Sequence, residues 1–483
     1  MHLARRSISS ISWNLTANIT RSAILFTRSV LLARLIRVED FGVYAFAGSI
    51  IALSVTFANF GLDSSFIHRS ASTEDEDHAA SIHFTLKIIL TSIWMLVMLA
   101  FAIFTPNIEQ RVAIIALTIA SALIGMTQTP KLILIRRVDH RRLAVVNIIN
   151  AVSTTIVAVG LAWNGVGLGA LIASNYVTLV VHTVAFYVWK PVWIPRISWH
   201  LKSIKYYLGF GSQSWISNLL NNALNEVDDL WTGANLGQAQ LGYYSRAYVF
   251  ATYPKQILAA PINSVALGTY AELKNNRTSL SKAFFRTIAL LVRFNFLVAG
   301  CLFLIAPEFI RLFLGVKWMP MLDAFRLMLI FILLDPIQTT IAHLFTAQGQ
   351  PRTVVYIRLI QITFLGVGLF TLGNAIGIAG VALSMDVMVL VGIIILLLFA
   401  RRFVDFSLLQ LFLYPSVALI IAMLVVYLVQ NLPGWPISDL FSGLLKSITY
   451  IATFCILILI LERKRIYKMA VWLITTFSNK QEI

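Results

Sequence analysis

The sequence predicts an all-α integral membrane protein of about 14 transmembrane helices. Three observations carry that reading. The chain of 483 residues is 58% hydrophobic and 12% charged, with a mean hydropathy of +0.81, which is too apolar for a soluble protein. Apolar stretches of about 20 residues, long enough to cross the hydrocarbon core as helices, recur along its whole length. No polar segment between them is long enough to fold as a soluble domain, which excludes most enzymes, including those that need a large external catalytic loop. The net charge of +17 does not indicate nucleic acid, because Lys and Arg lie in short clusters between apolar runs and not on one soluble face.

The expected spans are Ser10–Leu35, Phe41–Phe60, Ala79–Phe104, Arg111–Leu134, Leu143–Ala162, Val166–Trp189 and Tyr206–Trp231. They continue with Ala239–Tyr270, Ala283–Ala306, Pro320–Phe345, Thr353–Leu372, Gly377–Ala400, Ser407–Val429 and Phe441–Leu461. The first follows Arg5 and Arg6, which read as cytoplasmic anchors, since the start lacks an early apolar core and a cleavage site. Thr73 ahead of Glu76 matches a capping box opening the third span, so the acidic run Glu74 to Asp77 reads as a cap and not a cation site. Gly165, Gly167 and Gly169 read as a tight turn and a close-packed start of the sixth span; no strand precedes them as a nucleotide loop would require. Cys301 and Cys455 lie far apart within apolar runs and read as buried packing residues.

Loop charge tests the count. One set of alternate loops holds Arg5 and Arg6; Arg69; Arg136, Arg137, Arg141 and Arg142; Lys190, Arg196, Lys202 and Lys205; Lys274, Arg277, Lys282 and Arg286; Arg352 and Arg358; Arg401 and Arg402; and the basic tail from Arg463. The other set holds Arg37, Arg111, Arg311 and Lys317. Fourteen spans with both termini cytoplasmic keep this bias on one side, whereas dropping a single span would scatter it.

The chain also repeats itself. At an offset of 200, Ile36 to Tyr44 lies over Leu236 to Tyr244 and matches Gly42 with Gly242 and Tyr44 with Tyr244. At an offset of 210, Asn164, Gly167 and Ser174 meet Asn374, Gly377 and Ser384; Gln128 and Thr129 meet Gln338 and Thr339; and Arg142 meets Arg352. The unit is about six helices, so the copies run parallel about a pseudo-two-fold axis along the membrane normal. The expected organisation is a six-helix bundle over 1–190, a cytoplasmic linker over 191–205, a second bundle over 206–402, and two further helices with a basic tail over 403–483. Two such bundles suit alternating access about a site at their interface.

Polar residues mark that site. Asn14, Asn18, Arg21 and Arg28 lie along one face of the first span. Its two Arg cost about 5 to 7 kcal/mol on an insertion scale, against about 2.5 to 5 returned by its large apolar residues, so the helix should face water or protein. The seventh span carries Ser214, Asn218, Asn221, Asn225 and Asp228 on a similar face. The offset of 200 pairs Arg28 with Asp228, and the two are expected to form a gating charge pair across the external half of the cavity. Lys87, Arg246, Lys255, Arg293, Arg358, Glu226, Asp229, Asp335 and Asp386 are further intramembrane charges, several of them near span ends where they can snorkel. His182 and His343 read as packing residues. A cavity in which basic residues outnumber acidic ones suits an anionic, phosphate-bearing substrate.

The stretches Ala33–Phe46 (ARLIRVEDFGVYAF), Phe60–Arg69 (FGLDSSFIHR), Asp228–Ile257 and Thr346–Arg352 (TAQGQPR) resemble those of polysaccharide flippases. These are the exopolysaccharide and O-antigen type within the multidrug, oligosaccharidyl-lipid and polysaccharide exporter superfamily. The resemblance implies a bacterial inner-membrane transporter moving undecaprenyl-diphosphate-linked oligosaccharide to the periplasmic leaflet. It names a lipid-linked oligosaccharide and membrane lipids as partners, with a polysaccharide polymerase and chain-length machinery as further ones. On that reading Arg21, Arg28, Lys255 and Arg293 attract the diphosphate and sugar acids, while Asn14, Asn18, Asn218, Asn221 and Asn225 bind hydroxyls. Asp228, Asp229, Glu226 and Asp386 are then candidates for coupling to H⁺ or Na⁺, with no other cofactor and no metal. A drug antiporter of the same superfamily, a lipid-II flippase and a non-transporting scaffold are the alternatives; the basic stripe disfavours the first and is unexplained by the last.

Overall fold

The computed structural model describes residues 2–69, 75–433 and 438–463, with side chains described from residue 18 onward apart from 258, 260, 261 and 264. Among the described residues every regular element is helical. A long helix covers each expected span: α1 (His2–Leu35), α2 (Val38–Asn59), α3 (Glu76–Ile103), α4 (Ile108–Met126, continued by Gln128–Arg136), α5 (His140–Trp163), α6 (Gly167–Thr183, continued by Val184–Val188) and α7 (Leu201–Asn235). The remainder are α8 (Gln238–Pro254, Lys255–Ala259 and Ala260–Leu273), α9 (Arg277–Leu304), α10 (Leu322–Ala347), α11 (Pro351–Gly368, continued by Leu369–Gly373), α12 (Asn374–Ala400), α13 (Leu408–Gln430) and α14 (Asp439–Leu461). Among the described residues ten helical stretches, one of them running through α11 and α12, are long and apolar enough to cross a membrane. Polar α1, α7 and α8 are not among them. Large apolar side chains such as Leu96, Ile156, Leu398 and Ile420 are exposed, as lipid-facing surface requires. The chain is a multi-pass membrane protein.

Helix ends follow local chemistry. Asn107, Asp139, Asn276, Ser407 and Ser438 each cap a helix by accepting a backbone N–H of the first turn, which satisfies donors that nothing else in the helix can reach. α2 stops where Phe60 and Gly61 enter the left-handed region (φ 36° and 69°). Gly165 turns the chain at φ 79°, and α6 starts at Gly167, where a Cβ would stand 2.3 Å from Asp40 Oδ2. The expected capping box is corrected: α3 opens at Glu76 with Asp75 in the cap position, and Glu76 instead accepts from Arg137 Nε at 2.9 Å. Thr73 lies outside the described residues, as do the side chains of Arg5 and Arg6 and the basic tail beyond Arg463. α8 is not one unbroken helix, because Pro254 is followed by a wider π turn at Lys255–Ala259. Cys301 and Cys455 are free and half-buried.

By packing, the chain divides into two compact units, residues 1–257 with 355–388, and 258–354 with 389–483. This grouping follows contacts and does not follow the contiguous sequence repeat. In the first unit, α2 packs on α3 and α4 through Val43, Ala47, Trp94, Met98, Ile114 and Leu117. In the second, Tyr450 of α14 lies over Gly300 of α9 and donates to the Phe296 carbonyl at 2.9 Å. Arg311 pairs with Asp439 at 2.8 Å and Lys446 with Glu308 at 2.7 Å.

The repeat is visible as local symmetry inside the first unit. Where α2 crosses α8, a Cβ on Gly42 would stand 1.8 Å from the Gln238 carbonyl oxygen, and one on Gly242 would stand 2.2 Å from that of Val38. Residues 42 and 242, and 38 and 238, are partners at the offset of 200, so the contact is reciprocal as across a two-fold axis. At the offset of 210, Asn164 donates to the Gly160 carbonyl and Asn374 to that of Phe370, both at 2.8 Å. Glycine at 42 and 242 lets two backbones touch. Gly42→Ala and Gly242→Ala should each lower stability by about 1–3 kcal/mol through overpacking. Gly160→Ala, where nothing lies within 4 Å of the added carbon, should leave it unchanged or slightly raised; melting midpoints of the purified protein in detergent check the contrast.

Candidate functional site

The polar residues of α1 and α7 fall on exposed faces. Asn18 and Arg21 are exposed and Arg28 is half-buried; Asn218, Asn221 and Asn225 are exposed on successive turns of α7. The side chain of Asn14 lies outside the described residues. Asn225 donates to the Asn221 carbonyl at 2.8 Å, and Asn222, on the neighbouring face, donates to Thr56 Oγ1 at 3.0 Å, docking α7 against α2. α7 therefore presents one amide row outward while another fastens it to the core.

Arg28 does not pair with Asp228, as had been expected. Asp228 is 2% exposed and its Oδ2 accepts from Tyr244 Oη at 2.5 Å; Oδ1 has no hydrogen-bond partner among the described residues. Arg28 lies within electrostatic reach of Tyr44 and Tyr253. The reason is the symmetry itself. Tyr44 and Tyr244 are repeat partners, so Arg28 and Asp228 each associate with the tyrosine of the equivalent place instead of facing one another.

The acid that looks toward the basic residues is Asp229. Its Oδ2 accepts from Ser49 at 3.4 Å, and it lies within electrostatic reach of Arg246, which also senses Arg28. Arg246 rests over the Phe41 ring at 4.6 Å, a cation–π contact suited to a cation shielded from water. Ser29 and Tyr253 hydrogen-bond at 2.8 Å, tying α1 to α8. Half-buried Glu226 completes three carboxylates within about one turn of α7. The arrangement is a mixed-charge seam, with Arg28 and Arg246 on one side and Glu226, Asp228 and Asp229 on the other.

Lys255 is half-buried in the π turn of α8, and Asp386 is buried in α12. Arg293 belongs to the second unit, where it grips Glu462 with both carboxylate oxygens at 2.5 Å. A guanidinium so neutralised leaves no charge for an anionic ligand, so Arg293 is a structural cation.

A buried network escaped the sequence reading. His83 and Lys87, successive turns of α3, are 0% and 1% exposed. Both reach Asp63 Oδ1 at 3.3 Å, and His83 Nδ1 meets Thr129 Oγ1 at 3.0 Å. Lys87 also donates to Asn59. Its signal in the sequence is the i, i+4 spacing of His83 and Lys87, with Asp63 just beyond the end of α2.

Comparison with known proteins places this geometry. Residues 31–323 match a family described as "Polysaccharide biosynthesis protein". The chain belongs to that family. Its relatives include the lipopolysaccharide biosynthesis protein WzxC of Escherichia coli (strain K12), 22% identical over 80% of this chain and 78% of WzxC. The succinoglycan biosynthesis transport protein ExoT of Rhizobium meliloti (strain 1021) is 24% identical over 57% of this chain and 56% of its own length. In fold, the chain is similar to the lipid II flippase MurJ in an inward closed conformation, with a TM-score of 0.76 at 16% identity over 95% of this chain and all of MurJ. An inward-facing multidrug resistance transporter of the MATE family matches with a TM-score of 0.54 at 19% identity, over 82% of this chain and 95% of its own. This member of the polysaccharide biosynthesis family thus has a transporter fold.

Removing Arg293 strands Glu462, which is buried. Arg293→Ala should cost about 3–5 kcal/mol, and adding Glu462→Ala should restore much of the loss. Thermal unfolding of the two single variants and the double variant measures the cycle.

Proposed function

We propose that the chain is a flippase that carries a lipid-linked oligosaccharide from the cytoplasmic to the periplasmic leaflet of a bacterial inner membrane, without enzymatic turnover. The observation that carries this is the exposed row of Asn18, Arg21, Asn218, Asn221 and Asn225 on two repeat-related helices of a chain that elsewhere exposes large apolar side chains such as Leu96, Ile156 and Leu398. Amides and guanidinium groups match sugar hydroxyls and a diphosphate, whereas hydrocarbon would penalise them. Family membership and relatives named for lipopolysaccharide and succinoglycan synthesis support a glycan cargo, and the MurJ-like fold supports a lipid-linked one.

On this reading fourteen helices span the membrane with both termini cytoplasmic, and the bundles over 1–190 and 206–402 alternate in access. Arg21 and Arg28, with Lys255, draw in the diphosphate, the Asn residues bind hydroxyls, and the prenyl tail stays in lipid. Arg293 is omitted because Glu462 holds it. Glu226, Asp228 and Asp229 are the acids through which a proton or sodium gradient acts, with Asp386 as a further candidate. The open acceptor of Asp228 Oδ1 supports Asp228 as the group that changes its bound proton or cation. A polysaccharide polymerase and chain-length machinery are the partners that would consume the cargo.

The test is leaflet accessibility of a labelled undecaprenyl-diphosphate oligosaccharide in proteoliposomes, several glycans being tried under proton and sodium gradients. Intact protein should move the label; Arg21→Ala with Arg28→Ala should slow transfer more than tenfold, since each lost charge-assisted hydrogen bond is worth about 1.5–3 kcal/mol. Equal accessibility with intact protein, variant and empty liposomes contradicts the reading.

A further inference from the structure

The connection from α6 to α7, residues 189–200 in the first unit, is not helical; Pro191 and Pro195 would each interrupt a helix. It is fastened on one side. Trp193 is buried in a cluster with Leu62, Phe66, Ile82, Leu132 and Tyr207, and the Ser198 N–H donates to Thr85 Oγ1 at 3.0 Å. Arg142 donates to the Ala185 carbonyl at 2.7 Å and also to that of Lys190, which joins the α4–α5 loop to the same connection. The other side is bare and apolar. Ile197 is 80% exposed and Trp199 63%, and Trp189, Ile194 and Leu201 are similarly open. Lys190, Arg196, Lys202 and Lys205 are exposed among them, with Lys190 Nζ 5.5 Å from the Trp189 ring centroid. No Asp or Glu stands in the sequence between Asp139 and Glu226, so this stretch brings no acid of its own to the four cations.

What meets this face follows from the surface it continues. Val180, Val184 and Val188 are exposed at four-residue intervals along α6, a helix apolar enough to cross a membrane, and such a stripe faces hydrocarbon. Where the stripe ends, the exposed residues change to Trp with Lys and Arg. That is the composition of the layer between hydrocarbon and water, where an indole offers an apolar body and an N–H. Val138, in the loop that Arg142 joins to this connection, points the same way. It follows the end of α4 at φ 56°, a strained place for a β-branched residue and one that glycine fills at least cost. Its side chain is exposed, so core packing does not hold it there. We propose that residues 189–200 lie in the headgroup layer of an anionic leaflet, with Ile194, Ile197 and Trp199 inserted below the phosphates and Lys190, Arg196, Lys202 and Lys205 paired with them. Because Trp193 fastens the connection to the helices behind it, this contact sets the base of α7 at headgroup depth.

Spin-label depth measurements on the full chain in nanodiscs test it. In a chain with Cys301 and Cys455 replaced by serine, a nitroxide is attached at Ile194→Cys, at Ile197→Cys or, as a reference, at Asn275→Cys, which is exposed in the turn between α8 and α9. Collisions with oxygen, which partitions into lipid, are compared with those of a water-soluble nickel chelate. In phosphatidylglycerol the labels at 194 and 197 should lose most of the nickel collisions seen at 275 and gain oxygen collisions. Exchanging phosphatidylglycerol for phosphatidylcholine should move both labels toward water, as should Lys190→Gln, Arg196→Gln, Lys202→Gln and Lys205→Gln together. These side chains are exposed, so the melting midpoint should not change; Lys202→Gln plus Lys205→Gln carries the same test should the fourfold variant not fold. Labels at 194 and 197 as open to nickel as 275 would put this face in water, and labels shielded from both nickel and oxygen would put it against a protein; either result overturns the proposal. Equal depth in phosphatidylglycerol, in phosphatidylcholine and in the Gln variants also overturns it, because anionic headgroups would then not be recognised.

Discussion

A charge moved from water into hydrocarbon must find water, a partner or a headgroup. Arg293 and Glu462 solve the problem by pairing, as do His83 and Lys87 around Asp63. Lys282 and Arg286 lie where a span ends. On the proposed reading the exposed Asn18, Arg21, Asn218, Asn221 and Asn225 of α1 and α7 meet water within the membrane. That requirement, and not any motif, is what separates a transporter from an inert bundle of the same helices.

The second constraint is close approach. α2 and α8 touch through Gly42 and Gly242, each lying on the backbone of the other copy. Without a hydrophobic force between helices in lipid, such contacts and the hydrogen bonds they permit hold helices together. The reciprocal contact also sets where polar side chains point. It delivers Arg28 and Asp228 to equivalent tyrosines, and leaves Asp229 to face Ser49 and Arg246. The seam thus carries Arg28 on one copy and Asp228 at the equivalent place of the other.

Much of this was legible in the sequence. Each expected span has a helix, because a stretch of about 20 apolar residues has few other ways to satisfy its backbone in lipid. The repeat, read from a handful of matched residues, reappears as paired glycines and paired asparagine caps. What failed was pairing in space. Offset matching placed Arg28 opposite Asp228, yet equivalence under a symmetry axis does not imply contact. Arg293 was read as a cavity cation because its partner, Glu462, lies 169 residues away, and no periodicity reports such a distance. The network around Asp63 was missed for the same reason, since Asp63 sits on a short helix, Leu62–His68, outside the apolar spans.

The account rests on the outward faces of α1 and α7 touching water within the membrane. Labelling with a membrane-impermeant maleimide tests this directly, in a chain with Cys301 and Cys455 replaced by serine. Single cysteines at Asn18, Arg21, Asn218 and Asn221 should react, while cysteines at Ile156, Leu398 and Ile420 should not. Protection of the α1 and α7 positions equal to that of Ile156 would put those faces in lipid or in dry protein and contradict the account.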